Sequence, residues 1–471
     1  PTTSKDGTTT VTGFCDSDGE EVEFITDGIV DFTGTATNTW SVGISDVNAV
    51  RVSAGKLVLD GKVENSPVTV NAGAELELGG VLTNGTLVIE SGAKFNQTAS
   101  SSICGDSAII VRNTSSSFYG TNDFTGGLTV GQNLEYGGGN PKSTAYIRAP
   151  MSLDAGGDFV VNYNSVLAFY DNVVVSNRTL QIHGYNNYET VKCNAGYTFE
   201  WAGDIRTYEY PQAEIFTGES ATFILGKRDG TSVFDVQNGR EFVLVCGAVH
   251  LYAACQSTGG LGFRGTLYLY NTNNAWGQLN INVGTCIPMA DNVFPADKPI
   301  KMLQQYSNVQ YTSTLNLNGT SQTVSKINTD YNPAVKNWAN FTSELPATLT
   351  VSNKDDFVYS DLDVFYVKGM ITLCKKGGAK WTLGVQNTSG GNLEVLEGTL
   401  AITDTRSFPA GRKSVFRIAE GATLELADGV EGSIAYGAQI VDGKETSLMP
   451  GVYGSQTCTV PDVKKVDWIT G

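Results

Sequence analysis

The chain has 471 residues and a mass of 50.1 kDa, and its 41% hydrophobic content is enough to bury a sizeable core. With 48 acidic against 31 basic residues the formal net charge is −17, which repels a phosphate backbone or an anionic membrane surface and excludes nucleic acid as an expected partner. No apolar run reaches the ~18–20 residues of a membrane-crossing helix. The longest, EFVLVCGAVHLYAAC (Glu241–Cys255), is interrupted by Gly247 and His250, so no transmembrane helix is expected.

Taken in chain order, the segments follow a strand grammar. The opening PTTSKDGTTTVTG starts on proline without a basic-then-apolar leader, as a mature chain or a fragment would, and suits an extended strand. KLVLDG, VTVNAGAELELGG and GTLVIESG alternate apolar and polar residues, with small-Gly pairs ahead of the strands at Ala54-Gly55, Ala72-Gly73 and Ser91-Gly92. FVVNY, SVLAFYDNVVVS, ATFILG, GTLYLYN, STLNLNG, ATLTVSN, NLEVLEGTLAIT and GATLELADG continue the pattern, each closing on Gly, Asn or Asp. Only PADKPIKMLQQY (Pro295–Tyr306) looks helical, and Pro299 limits it to one or two turns. The expected class is all-β.

Sandwich domains, a propeller and a β-solenoid all satisfy that class. The glycines decide between them, because Gly55, Gly73 and Gly92 recur at steps of 18 and 19 residues, the length of one solenoid coil with its bends. Gly398 and Gly421 lie 23 residues apart, one coil with a longer loop. A propeller needs longer repeats with a constant aromatic signature, which is missing; tandem sandwiches are the runner-up. We expect a right-handed parallel β-helix continuous over residues 1–471. At ~22 residues per coil and ~4.8 Å per coil it would form a rod on the order of 100 Å long.

In the last third the sequence resembles the autotransporter-associated β-strand repeat, also called the passenger-associated transport repeat. Leu315, Leu317, Asn318 and Gly319 match its Leu-x-Leu-Asn-Gly strand, and Gln322, Thr323 and Val324 its turn. Lys376, Gly378, Trp381, Thr382, Leu383, Gly390, Gly391, Val395, Gly398, Thr399 and Leu400 match the remainder, clearest within 313–471, and FTGGLTVGQ (Phe124–Gln132) is a fainter copy. The resemblance implies a β-helical passenger of a bacterial secreted or surface protein and transfers no catalytic residue. The chain departs from it in an inserted loop from Asn328 to Pro346 and in its cysteines, and no outer-membrane barrel is expected within these 471 residues.

Chemical motifs are sparse. The eight cysteines contain no CxxC pair and only His183 and His250 are available, so neither a metal site nor a cofactor is expected. Cys246, His250 and Cys255 cluster in sequence but suit positions alternating in and out of a strand; the even cysteine count permits disulfides without specifying them. LGKRDGTSVFD (Leu225–Asp235) groups Lys227, Arg228 and Asp229, most simply as a polar turn. An aromatic run supplies the candidate ligand site: Tyr185, Tyr188, Tyr197, Trp201, Tyr208 and Tyr210, with Phe199 among them, suit stacking on sugar rings, although aromatics of a wide coil also simply fill a core.

The expected function is therefore a non-catalytic extracellular or cell-surface β-helical protein, structural or adhesive, as a stalk, surface-layer or filament component with a carbohydrate ligand. The alternative is a secreted polysaccharide lyase or glycoside hydrolase on the same scaffold, working through a carboxylate-bound cation and a base, or through two acids. The final GVYGSQTCTVPDVKKVDWITG stops mid-pattern at Trp468 and Ile469. An exposed end coil would invite head-to-tail self-association by strand addition, unless a local loop or the Cys458 segment folds over it.

Overall fold

In Lys56–Leu59, Glu75–Leu78 and Thr86–Ile89 the second and fourth side chains are buried and the other two are not. This is the period-two signature of a strand with one wet face. The computed structural model describes residues 28–132, 142–183, 190–208, 214–236, 242–257, 259–304, 312–330, 338–361, 364–409, 415–419, 421–427 and 430–434. It also describes short strands at 2–3, 8–11, 24–25, 436–441, 444–448, 451–454 and 457–459. Strands pair in parallel with their counterparts one coil away, which makes the fold an all-β, right-handed parallel β-solenoid. The chain divides into two units, Pro1–Ala253 and Ala254–Gly471.

In the first unit each coil has three faces. The first carries Ala49–Val52, Val68–Val70, Thr86–Ile89, Ala108–Val111 and Leu128–Val130, whose register stacks Val50, Val68, Leu87, Ile109 and Leu128 into one inward column. Every member is at most 2% exposed. The second face carries Thr37–Trp40, Lys56–Leu59, Glu75–Leu78, Lys94–Gln97, Ser115–Phe118, Ser143–Ile147 and Ser165–Phe169. Short strands such as Ile44–Ser45, Lys62–Glu64 and Val81–Thr83 make the third. Further along, the second and third faces merge, because the single strand Glu214–Leu225 pairs with both Val191–Lys192 and Thr198–Trp201.

The small-Gly pairs mark the corner between the first and second faces, where Gly55, Gly73 and Gly92 have φ of 62°, 80° and 78°. A β-branched residue pays a steric penalty in that region. The three glycines differ in their surroundings. A Cβ at Gly73 would meet nothing within 4 Å, whereas one at Gly55 would lie 2.2 Å from the Gly34 carbonyl oxygen and 2.8 Å from that of Ala36. Gly73→Val is thus expected to cost roughly 1–2 kcal/mol from backbone strain alone, and Gly55→Val distinctly more because the neighbouring coil must move. Thermal melts of the two variants check this; equal shifts would mean that the corner relaxes freely.

A second corner, between the third and first faces, escaped the sequence reading. Asp46, Asn65 and Asn84 sit there at φ of 55°, 50° and 54°. The Asn65 amide donates to Asp46 Oδ1 at 2.9 Å and the Asn84 amide to Asn65 Oδ1 at 3.1 Å. Asn and Asp tolerate left-handed backbone, and their side chains bind one another up the stack.

The second unit repeats the plan with longer strands. Gly260–Leu269, Gln278–Pro288, Thr312–Asn316, Trp338–Ser352 and Phe365–Lys376 align Leu267, Cys286, Leu315, Phe341 and Val367 in one column. The residues that carry the repeat resemblance hold core and turn positions. Leu315, Leu317, Val324 and Leu400 are fully buried, Asn318, Gly319 and Gly398 have positive φ, and Gln322 Oε1 accepts from the Val293 amide at 3.0 Å. Two expectations are corrected here. Pro295–Lys298 closes a turn and Ile300–Gln304 is a strand, because period-two pairing with Leu279–Ile281 outweighs the short helical pattern. Much of the expected loop at 328–346 is strand: Trp338–Ser352 pairs with Thr312–Asn316 and Ser321–Val324 on one side, and with Phe365–Lys376 on the other, there with a register shift between Ser343 and Ala347. The helix among the described residues is the 3-10 turn Thr405–Ser407, with Asp404 as its cap.

Near the end of the second unit the parallel ladders give way to antiparallel pairs. Thr457–Thr459 lies against Thr423–Glu425, Lys444–Leu448 against Gly437–Val441, and Gly451–Gly454 against Glu431–Ile434. The Cys458 segment therefore covers the edge of the sheet formed by Thr399–Ile402 and Thr423–Leu426. Trp468 and Ile469 lie outside the described residues.

Candidate functional site

The expected aromatic site separates into inward and outward members. In Thr198–Ala202 the pattern buries Phe199 and Trp201 and turns Glu200 outward. Trp201 is 0% exposed, meets Phe159 at a ring distance of 5.3 Å and Phe199 at 6.0 Å, and donates its indole N–H to the Asp204 carbonyl at 3.1 Å. As a ligand residue Trp201 is thus corrected: it fills the core of a wide coil. Tyr197 is half-buried. Tyr208 is half-buried and stacks on His183 at 4.4 Å and 8° between planes. Tyr185, Tyr188 and Tyr210 lie outside the described residues.

A different aromatic group occupies the second face of the first unit. Along Ser143–Ile147 the residues Ala145 and Ile147 point inward, which sends Tyr146 and then Arg148 outward. The Arg148 amide donates to the Phe118 carbonyl and the Tyr170 amide to that of Ile147, both at 2.8 Å, so Tyr119, Arg148 and Tyr170 follow one another in three successive coils. The Arg148 guanidinium lies 5.5 Å from the Tyr119 ring centre, 5.0 Å from Tyr146 and 4.5 Å from Tyr170. Tyr119 is 41% exposed. Each such cation–π contact contributes about 0.5–1 kcal/mol near a surface, and together they hold the rings as a platform. The sequence reading missed it because 29 residues separate Tyr119 from Arg148 and only 22 separate Arg148 from Tyr170.

The polar candidates resolve into structural roles. At Lys227–Asp229 the chain makes the expected turn: Asp229 Oδ1 accepts from the Thr231 amide at 2.9 Å and its hydroxyl at 2.7 Å, which holds the carboxyl below its ordinary range. Arg228 reaches Glu200 at 3.4 Å and lies over the Tyr252 ring. Burial, helped by Arg228, lowers the pKa of His250. Cys246 is buried and its thiol donates to the Phe216 carbonyl, while Cys255 lies fully buried with its pKa pushed up to about 12. Six cysteines, Cys104, Cys193, Cys246, Cys255, Cys286 and Cys374, are free thiols. No group of three or more His, Cys, Asp or Glu that could hold a metal ion occurs among the described residues.

Lys375 is the unexpected titratable group. It stacks inward between Val351 and Val395 and is 0% exposed. Its ammonium donates to the carbonyls of Lys376 at 2.7 Å, Gly377 at 2.6 Å and Glu397 at 3.1 Å. In the charged form all three protons are matched, so the group clamps a corner. A surface hollow of about 480 Å³ in the second unit is lined by Gln386, Asn387, Thr388, Thr405, Arg406, Phe408 and Pro409, without a carboxylate.

Fold and surface together define a parallel β-solenoid protein that carries an outward ladder of tyrosine and arginine. No protein-family model matches the chain, and no curated protein matches it.

Proposed function

We propose that the chain is a non-catalytic β-solenoid of structural or adhesive type, placed outside the cell or on its surface, which takes a carbohydrate ligand on the platform of Tyr119, Tyr146, Arg148 and Tyr170. The observation that carries this reading is the alignment of those residues in successive coils, with rings held in place by a shared guanidinium. Flat rings beside hydrogen-bond donors suit the apolar faces and hydroxyls of a sugar. The placement on a bacterial surface rests on the resemblance of residues 313–471 to the autotransporter-associated repeat alone. Head-to-tail assembly is not part of this reading, because antiparallel strands such as Thr457–Thr459 occupy sheet edges that strand addition would need.

The reading is tested by offering the full chain a panel of polysaccharides and measuring both retention and product release. Retention without new reducing ends or unsaturated products is expected. Turnover of any retained polysaccharide would favour the lyase or hydrolase alternative, and failure to retain any would remove the adhesive role.

A further inference from the structure

Resting on that reading, we infer that the platform selects a saccharide bearing a carboxylate, with Arg148 as the residue that recognises the acid group. The contrast between two arginines carries the argument. Arg178 also lies over aromatic rings, those of Phe124 and Phe159, but its donors are matched inside the protein: Nε to the Asp154 carbonyl at 2.6 Å, Nη1 to that of Gly126 at 2.9 Å, and Nη2 to that of Phe124. The guanidinium of Arg148 has the three tyrosine rings as its partners among the described residues. Its Nε is buried, whereas Nη1 and Nη2 are not and have no hydrogen-bond or ion-pair partner among the described residues, so these two are the donors left to a ligand. In a chain with 48 acidic residues a carboxylate partner would be easy to supply from within. The acceptor that fits is one from outside, and a planar carboxylate meets a guanidinium through two parallel hydrogen bonds.

Periodicity points to a sugar chain rather than an acidic peptide. Tyr119, Arg148 and Tyr170 repeat at the coil spacing of about 4.8 Å, close to the length of one pyranose ring, so a saccharide running along the stack meets one side chain per sugar. The charge of −17 opposes a dense polyanion. The matching ligand is therefore a heteropolysaccharide in which a uronate alternates with neutral sugars: the uronate sits on Arg148 and its neighbours pack on Tyr119 and Tyr170.

The test uses oligosaccharides containing one uronate per repeat and the same oligosaccharides after reduction of the carboxyl to the alcohol, titrated calorimetrically against the full chain. The acid form should bind at least tenfold more tightly than the reduced form. Arg148→Gln should bring the two to equal affinity, and Tyr119→Ala should weaken both alike, with melting temperatures confirming that each variant is folded. Equal binding of acid and reduced forms by the unaltered chain would overturn the acidic ligand and leave the adhesive reading standing. Binding of a polyglutamate peptide as tight as that of the uronate oligosaccharide, abolished by Arg148→Gln, would overturn the saccharide in favour of an acidic protein partner. No binding of either oligosaccharide, by a chain that retains other polysaccharides, would overturn the uronate-bearing ligand, and unchanged retention of those polysaccharides by Tyr119→Ala would overturn the platform as their site.

Discussion

Replacing Trp201 by alanine is expected to destabilise the first unit by about 3–5 kcal/mol, the range for removing a large aromatic from a closed core. The indole is 0% exposed and packs against Phe159 and Phe199, so its loss opens a cavity that the stacked coils cannot collapse without breaking register. The Asp204 carbonyl also loses the indole N–H. Trp201→Phe should cost less, because most of the ring volume stays and only the hydrogen bond goes. Denaturant titration followed by circular dichroism checks both. A Trp201→Ala variant as stable as the parent, but with weakened saccharide binding, would restore the role that the sequence suggested for this residue.

The second large effect is a pH dependence centred on Lys375. Burial pulls its pKa down to about 8 from the ordinary lysine value of 10.5, while Glu397 opposes the shift. A lysine whose folded pKa lies below its unfolded one burdens the fold most where both states are charged, that is below about pH 8. As the pH rises from about 8 to about 10.5 the folded form releases its proton before the unfolded form does, so the unfolded chain binds more protons and stability increases through this window. The full shift corresponds to about 3 kcal/mol, of which roughly 2 kcal/mol should appear between pH 7.5 and pH 10. Other lysines and tyrosines titrate there too, so the measurement is the difference between the unaltered chain and Lys375→Met. That difference should move by about 2 kcal/mol in favour of the unaltered chain. Parallel pH profiles would show that the three carbonyls hold the ammonium charged throughout.

Both residues were half legible in the sequence. In TFEWA the alternation already places Phe199 and Trp201 on one side and Glu200 on the other, and following it strictly would have assigned Trp201 to the core. In ITLCKK the same alternation carries Ile371, Leu373 and Lys375 inward, yet a lysine is expected in water, and nothing local announces that three carbonyls await it. Those carbonyls come from the Lys376–Gly377 corner and from Glu397 one coil on. The Asn corner was fully present as Asp46, Asn65 and Asn84 at equal steps of 19 residues, and was passed over because glycine is the stronger turn signal.

By itself the sequence determined the all-β class, the solenoid coil and the glycine corner, because these rest on short-range physics: side chains alternate along a strand, and positive φ excludes most residues. The platform of Tyr119, Tyr146, Arg148 and Tyr170 was decided only by the tertiary structure. Its members meet through pairing between coils, and loops of unequal length make partners in adjacent coils fall anywhere from 18 to 31 residues apart. A strand slipped by one residue would turn Arg148 into the core and Ile147 into water, so burial of Ala145 and Ile147 is what sets that register. The stacking of a guanidinium on rings from the coils before and after it is a consequence of that choice, and no local pattern encodes it.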